Sequence, residues 1–266
     1  MLVVLHGMGL NGLRMAEWTG LAERGPQAGF AAVFPDASGE VWDDTGRGRT
    51  DGLDDAGFVV ALVERLVIDG LAREGSIFLV GLSNGAFFAE RLARHGLVSA
   101  CGIVLVAGTA RGASRREAPQ PSHSAAVLCF EGTSDRLAPY NGGDSAGPLG
   151  WMARRRASKS LSDGVGRDVV AAESLAGDWA IANGCPPLPE VELMTAQPGD
   201  PKVHRLTWAA AGHLPVILYR IVGGGHGWPG GPQYMPASLV GKVSRHLDAT
   251  GILLDFAKSA IRAEIA

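Results

Sequence analysis

Short, mostly apolar runs recur along the first half of the chain and are separated by stretches with helical spacing. The runs lie at residues 2–5, 30–34, 76–80, 101–106 and 125–130. Runs this short and this apolar are typical of strands that are buried on both faces of a sheet. Residues 54–73 instead carry apolar side chains three and four positions apart, which predicts an amphipathic helix.

The alternation continues to the end of the chain. Further helices are predicted through residues 18–22, over 86–95, around 175–182 and over 252–263, and a pair of strands at 203–208 and 215–222. Strands that alternate with helices predict an α/β fold with a mostly parallel central sheet and helices on both faces. We expect one domain over residues 1–266, with a lid-like insertion at about 140–168, where a long irregular stretch follows the fifth strand.

Composition narrows the class of protein. Hydrophobic residues make up 46% of the 266 residues, and 24 basic side chains nearly balance 27 acidic ones, for a net charge of -3. A globular chain without a basic excess is not expected to bind nucleic acid. No apolar run reaches the length of a membrane span, and no export signal follows Met1, so we expect a soluble, cytoplasmic protein without a membrane partner. Three scattered cysteines predict neither a disulfide framework nor a metal site.

The segment Gly81-Leu82-Ser83-Asn84-Gly85 matches the pattern G-x-S-x-G between a predicted strand and a predicted helix. In such a turn the serine hydroxyl projects above the sheet, and the next backbone N–H points at the oxyanion that forms during acyl transfer. The pattern therefore predicts Ser83 as a nucleophile and the Asn84 N–H as an oxyanion donor. The alternative is a glycine-rich turn that holds an ordinary serine.

A second match to the same pattern occurs at 143–147, around Ser145. No buried strand precedes it, and Pro148 with Leu149 and Gly150 follows it instead of a helical pattern. Because the turn needs a strand before it and a helix after it, we do not expect Ser145 to be the nucleophile.

A serine nucleophile needs a histidine base, which follows it in the chain of hydrolases with this sheet architecture. His226 lies in a glycine-rich loop directly after the apolar run that ends at Val222, so it is the best candidate. A surface-loop histidine is the alternative. His204 falls inside a predicted strand and His246 on the predicted terminal helix, and both are expected to be structural.

A carboxylate must orient that histidine, and Asp135 follows the strand at 125–130 in the segment EGTSD. Other candidates lie in the insertion or on the helix after it, and we expect them to be solvated or structural; they are Asp163, Asp168 and Asp178. The second oxyanion donor is expected from the loop His6-Gly7-Met8-Gly9, with the Met8 N–H preferred and Gly9 as the alternative. His6 is expected to brace this loop. The arrangement needs neither a metal nor a cofactor.

Six separated segments, LHGMG, DDAGF, GLSNGA, GTSD with APYNGG, WAIANGC and GGGHGWPGG, together resemble the polyhydroxybutyrate depolymerase and feruloyl esterase group of α/β-hydrolase esterases. The resemblance spans nearly the whole chain and implies an α/β-hydrolase fold with Ser83 as nucleophile, Asp135 as acid and His226 as base. Trp42 and Trp228 resemble aromatic residues that such enzymes place near the substrate; packing within the core or a loop is the alternative reading.

The chain departs from the group in two respects. The cysteine that usually pairs with the counterpart of Cys185 is absent, so that disulfide is not expected. The fold also usually begins with additional antiparallel strands, whereas this sequence starts inside the strand at 2–5. A start lost ahead of Met1, and an export signal lost with it, would account for this difference.

These features predict a serine carboxylesterase that acts on a small-molecule or polymeric ester. Short-chain, hydroxyalkanoate, phenolic and polyester substrates all remain open, as does the oligomeric state. Two other classes of function compete: a binding or scaffold protein on a hydrolase fold, and a serine peptidase or acyltransferase that uses the same three residues.

Overall fold

The computed structural model of the chain describes residues 1–49, 51–144, 168–194 and 201–265. The strands in these ranges are β1 (Leu2–Leu5), β2 (Ala32–Val33), β3 (Phe78–Leu82), β4 (Gly102–Val106), β5 (Ala126–Gly132), β6 (Gly143–Asp144), β7 (Asp168–Val169), β8 (Glu190–Met194), β9 (Val203–Trp208) and β10 (Val216–Ile221). The helices are α1 (Gly12–Thr19), α2 (Leu21–Gln27), α3 (Asp55–Ile68), α4 (Asn84–Arg94), α5 (Gly112–Glu117), α6 (Ala172–Ala182), α7 (Ala237–Val240) and α8 (Ala249–Ile265).

Eight of these strands form one sheet in the order β2-β1-β3-β4-β5-β10-β9-β8. The six strands from β2 to β10 run parallel, and β9 and β8 add two antiparallel strands at one edge. The prediction of a mostly parallel central sheet is therefore confirmed. Because β1, β3, β4, β5 and β10 are parallel, their carboxyl ends lie along the same edge of the sheet.

Alternate residues of the central strands enter two different cores. Val3 and Leu5 of β1 pack in one core with α3, α4 and α6, whereas Leu2 and Val4 pack in the other with α1, α2 and α8. All four side chains are fully buried. Since a strand turns successive side chains to opposite faces, helices must cover both faces of the sheet, as the sequence predicts.

Several predicted boundaries are wrong. The predicted strand at 30–34 contains only the two-residue β2, and the predicted helix through Trp18 divides into α1 and α2 at Gly20, whose φ is 63°. The edge strand β8 was not predicted, because its alternating sequence EVELM exposes Val191 and Leu193 instead of burying a continuous apolar run.

Most of the predicted lid-like insertion, including Ser145 and Asp163, lies outside the described residues. The two ends of that insertion that are described, β6 and β7, pair as an antiparallel ribbon. Within the described ranges, no helix has the length and apolar content that crossing a membrane requires.

Candidate active site

Ser83 occupies a strained turn between β3 and α4. It is the one residue between Leu82, the last of β3, and Asn84, the first of α4, and its backbone has φ 55° and ψ -117°. Such a conformation is rare for a residue with a side chain and costs about 1–3 kcal/mol. The turn is anchored where the Ser83 N–H donates to the Val106 carbonyl at 2.8 Å. Surrounding structure thus holds this serine in an otherwise unfavourable conformation.

The two flanking glycines are required because backbone atoms approach them too closely for a side chain. A Cβ at Gly81 would overlap the Gly85 carbonyl oxygen, and a Cβ at Gly85 would overlap the carbonyl oxygen of Leu5 in β1. Neither glycine has a positive φ. Their role is therefore close packing of the turn against α4 and β1, which leaves the positive φ to Ser83 itself.

Asp135 and His226 form a buried hydrogen-bonded pair, although 91 residues separate them. His226 Nδ1 lies 2.7 Å from Asp135 Oδ2. The other carboxylate oxygen, Oδ1, accepts hydrogen bonds from the backbone N–H groups of Leu137 (2.7 Å) and Ala138 (2.9 Å). Because the carboxylate accepts the bond, Nδ1 carries the proton and the basic lone pair lies on Nε2.

The loops that carry this pair meet through glycine backbone. The Ser134 N–H donates to the Gly224 carbonyl at 2.8 Å, and a Cβ at Gly132 would overlap that same carbonyl oxygen. On the far side, the His226 N–H donates to the Val240 carbonyl at 2.7 Å. The position of the imidazole is thus fixed by contacts on both sides of its loop.

Ser83, Asp135 and His226 all follow parallel strands at the same edge of the sheet, namely β3, β5 and β10. Within the part of the chain that the structure describes, no hydrogen bond joins Ser83 Oγ to His226. The structure therefore joins the Asp135 carboxylate to the His226 imidazole directly and places the serine at the same edge without that third contact.

Two backbone N–H groups near Ser83 have no hydrogen-bond partner among the described residues, those of Met8 and Asn84. A Cβ at Gly7 would lie 3.5 Å from Ser83 Cβ, so the loop after β1 runs beside the serine. The Gly9 N–H, the alternative donor in the sequence analysis, instead donates to the Glu40 carbonyl at 2.9 Å. This bond favours Met8 over Gly9 as the free donor.

His6 braces the loop after β1 in a way that fixes its protonation. Its Nδ1 lies 2.9 Å from the Gly7 carbonyl, and its Nε2 lies 3.0 Å from the Ala37 N, whose proton it accepts. The ring is therefore neutral with the proton on Nδ1. Burial of the ring lowers its pKa, outweighing the opposing effects of the Gly7 carbonyl and of Asp36.

The two tryptophans that the resemblance places near the substrate are both buried. Trp42 is fully buried, stacks on Phe88 with ring centroids 5.2 Å apart, and donates from Nε1 to the His6 carbonyl at 3.1 Å. Trp228 is 2% exposed and donates from Nε1 to Thr250 Oγ1 at 3.0 Å. Because both rings are covered by protein, packing is the reading that the structure favours for them.

Trp42 also shows how the loop before α3 is attached to the serine turn. The Asn84 side chain accepts from the Trp42 N–H at 2.8 Å and donates to the Trp42 carbonyl at 3.1 Å. Asn84 thus uses its side chain to hold this loop, while its backbone N–H stays free at the amino end of α4.

Two charged features near the turn were missed by the sequence analysis. Arg111 donates from both Nε (3.0 Å) and Nη2 (2.8 Å) to Asp44 Oδ2, and its guanidinium lies 3.8 Å from the centre of the Phe87 ring, one turn into α4. Nothing in the sequence links two residues 67 positions apart. Glu131, by contrast, gave a signal, because it is a charged residue directly after the apolar run 125–130 and begins the segment EGTSD that carries Asp135.

The other aspartates and histidines that the sequence offered for the site make different contacts or lie in other elements. Asp168 pairs with Arg116, and Asp178 with Arg94 and Arg115. His204 lies in β9 as predicted, whereas His246 precedes α8 instead of lying on it, because that helix begins at Ala249. Three cysteines are buried and no disulfide joins them: Cys101, Cys129 and Cys185.

The chain is similar to a known protein in sequence and to several solved structures in fold. No protein-family model matches the chain. A protein named "Putative esterase NocK" from Nocardia uniformis subsp. tsuyamanensis is 28% identical over 260 residues, which cover 96% of this chain and 72% of that protein. Among solved structures, the acetyl xylan esterase from Aspergillus awamori superposes with a TM-score of 0.56 at 14% identity, over 85% of this chain and 82% of that one.

A second solved structure, SOBER1 from Arabidopsis thaliana, matches over 98% of this chain and 98% of its own with 12% identity and a TM-score of 0.45. The fold comparison rests on the Aspergillus enzyme, which has the higher score. Together with the mostly parallel eight-stranded sheet and the helices on both faces, it shows that the chain has the α/β-hydrolase fold. The subgroup of polyhydroxybutyrate depolymerases and feruloyl esterases is not singled out by these relatives.

Proposed function

We propose that this protein is a serine hydrolase that cleaves carboxylic esters, with Ser83 as nucleophile, His226 as base and Asp135 as the carboxylate that orients the base. The observation that carries the proposal is the backbone of Ser83, whose φ is 55° between a buried strand and the amino end of a helix. Strain of this kind persists where surrounding structure enforces it, and it gathers at active sites. The buried Asp135–His226 bond at 2.7 Å supplies the acid and base that a serine needs.

The proposed reaction runs in two halves. His226 Nε2 takes the proton from Ser83 Oγ as Oγ attacks the ester carbonyl carbon, and the Asn84 and Met8 N–H groups donate to the resulting oxyanion. The oxyanion collapses, the C–O bond to the alcohol breaks, and the alcohol leaves with the proton from His226. Water then attacks the acyl carbon while giving its proton to Nε2, and the acid is released as Ser83 Oγ regains that proton.

The free enzyme need not hold the Ser83–His226 bond for this sequence to operate, because such contacts often tighten only when substrate binds. The Asp135 carboxylate orients the imidazole and stabilises the imidazolium that forms in each half. Its three hydrogen bonds, from Leu137, Ala138 and His226, all favour the charged carboxylate.

Similarity to named esterases supports the reaction class. The 28% identity to the Nocardia protein extends over nearly the whole chain, and its name describes an esterase. We propose a small-molecule or polymeric ester as substrate, drawn from the short-chain, hydroxyalkanoate, phenolic or polyester classes of the polyhydroxybutyrate depolymerase and feruloyl esterase group. We propose no role for nucleic acid or membrane.

The test is the initial rate on p-nitrophenyl acetate, butyrate and octanoate for the wild type and Ser83→Ala, with Ser174→Ala on α6 as matched control. We expect Ser83→Ala to lose at least about 10³-fold in kcat/KM and the control to stay within about twofold, because removal of the nucleophile leaves only binding and oxyanion stabilisation. Full activity in Ser83→Ala would exclude the proposed nucleophile, and an inert wild type would contradict the esterase proposal. The order of the three rates would report the acyl length that the site accepts.

A further inference from the structure

Glu131 is a carboxyl group buried beside the acid of the proposed site. It is 1% exposed, is the next-to-last residue of β5, and precedes Asp135 by four positions. Its Oε1 accepts one hydrogen bond, from the Gly108 N–H at 3.1 Å. No cation pairs with it among the described residues: Arg220, its register partner on β10, donates to Glu173 and contacts His204 instead.

Two buried carboxyls that repel each other do not both ionise readily, and their hydrogen bonds favour the charge on one of them. Asp135 accepts three hydrogen bonds, one of them from His226, whereas Glu131 accepts one. Burial raises the pKa of Glu131 well above its ordinary value, and the charge of Asp135 raises it further. Burial raises the pKa of the Cys129 thiol, two residues earlier in β5, so this neighbour is neutral and does not offset the charge of a carboxylate. Burial, the charge of Asp135 and the single hydrogen bond together favour the protonated form of Glu131.

The hydrogen bond of Glu131 connects it to the serine turn. Gly108 follows Ala107, which has a φ of 51°, in the loop after β4. A Cβ at Gly108 would lie 2.8 Å from the Ser83 carbonyl oxygen, so this loop packs directly on the backbone of the serine. Glu131 therefore links the end of β5, which precedes Asp135, with the loop after β4, which contacts the Ser83 backbone.

We propose that Glu131 is a neutral positioning residue: its protonated carboxyl ties the Gly108 loop beneath Ser83 to the end of β5, without placing a second negative charge beside the Asp135–His226 pair. Its effect on catalysis rests on the function proposed above, whereas its protonation does not. A charged group at this place would be repelled by the charge of Asp135.

Protonation is tested by urea unfolding of the wild type and Glu131→Gln between pH 5 and pH 7. In the unfolded chain the carboxyl ionises near its ordinary value of 4.5, while the folded protein keeps the proton. The unfolded state then binds fewer protons, so the stability of the wild type falls as pH rises. The ratio of unfolding constants, wild type over Glu131→Gln, is expected to increase about tenfold per pH unit. The matched control is Glu64→Gln, which makes the same chemical change at an exposed position of α3.

Positioning is tested by ester hydrolysis in Glu131→Gln and Glu131→Ala. The glutamine keeps an oxygen that can accept from Gly108, so its kcat is expected to stay within about threefold of the wild type. The alanine loses this link, and its kcat is expected to fall at least about tenfold with KM little changed. Rescue by the neutral glutamine, and not by Glu131→Asp, would show that shape and neutrality matter together.

Each result decides a separate point. A wild-type to Glu131→Gln ratio that does not change with pH would overturn the neutral state of Glu131, whatever the enzyme catalyses. A folded Glu131→Gln that loses most activity, or a folded Glu131→Ala that keeps it, would overturn the positioning role. Should the alanine variant fail to fold, the glutamine variant still decides the neutral state, and a folded Glu131→Asp that keeps full kcat would overturn the positioning role. An inert wild type would contradict the esterase proposal, while the unfolding ratio would still test the carboxyl.

Discussion

The serine turn and the Asp135–His226 pair lie at the same edge of the sheet but are built in different ways. The turn is mostly local: within five consecutive residues Gly81 packs on Gly85 and Ser83 adopts one strained φ, and contacts with β1 and β4 then anchor it. The pair is remote in sequence, joined across 91 residues by one side-chain hydrogen bond and by contacts between glycine-rich loops. A local device of this kind can be read from a pentapeptide, whereas the pair exists only after β5 and β10 lie side by side.

The largest effect is expected from the remote pair. Asp135→Asn keeps the shape of the side chain but removes the charge that holds the proton on His226 Nδ1. The imidazole can then adopt the wrong tautomer, and kcat for ester hydrolysis is expected to fall on the order of 10³–10⁴-fold.

The matched control for that change is Asp168→Asn, which alters another carboxylate that the sequence offered. Asp168 is half-exposed and pairs with Arg116 at the surface, so its loss is expected to change kcat by less than about twofold. Equal losses of kcat in the two variants would show that Asp135 has no special role, and that the Asp135–His226 pair does not contribute to catalysis.

The local turn is expected to fail through stability first. Gly81→Ala introduces a Cβ that overlaps the Gly85 carbonyl oxygen, a backbone atom that cannot move aside. We expect a loss of about 3 kcal/mol or more in the free energy of unfolding, measured with urea. Gly177→Ala on α6, where a Cβ meets no atom within 4 Å, is the control and is expected to gain about 0.5–1 kcal/mol. Similar values for both would mean that the turn is not tightly packed.

A smaller effect is expected where the turn holds its neighbouring loop. Asn84→Ala removes both hydrogen bonds to the backbone of Trp42 and leaves two buried polar groups without partners. We expect a loss of about 1–3 kcal/mol in the free energy of unfolding, with the backbone N–H of residue 84 retained. If kcat instead falls much further than the loss of folded protein can explain, the Asn84 side chain has a direct role at the oxyanion.

The smallest effect concerns the loop beside the turn and depends on pH. Burial lowers the pKa of His6 below its ordinary value of 6.5. The unfolded chain therefore takes up the proton first as pH falls, and stability is lost below pH 6.5 until the folded protein is protonated as well. The loss is at most about 1.4 kcal/mol per pH unit. Urea unfolding at pH 7.5 and pH 5 should show a smaller loss for His6→Gln than for the wild type, and parallel losses would contradict a buried neutral ring.

The sequence predicted most of the central sheet because its strands are short, apolar and buried on both faces. The run at 2–5 corresponds to β1, and that at 203–208 to β9, without a shift. It failed at the edges, where burial is one-sided or absent: β2 shrinks to two residues, and β8 exposes its apolar side chains. Edge strands are fixed by pairing with a neighbour, which a local pattern cannot report.

In the candidate site, too, local features could be predicted from the sequence and contacts between distant segments could not. The glycines around Ser83 and the positions of Asp135 and His226 after apolar runs were sufficient to select these residues. Three features could not be predicted, because each joins segments that are distant in the chain: the hydrogen bonds between Trp42 and Asn84, the pair of Arg111 with Asp44, and the link from Glu131 to Gly108.

The sequence by itself thus determined the alternation of strands and helices and the pentapeptide around Ser83, since apolar spacing and glycine sterics act between near neighbours. Only the tertiary structure decided which backbone donors stay free, which carboxyl is bonded to the imidazole and which one is left with a single partner. Those outcomes depend on burial and on hydrogen bonds between remote segments, and both are set when the parallel strands bring their carboxyl ends to one edge.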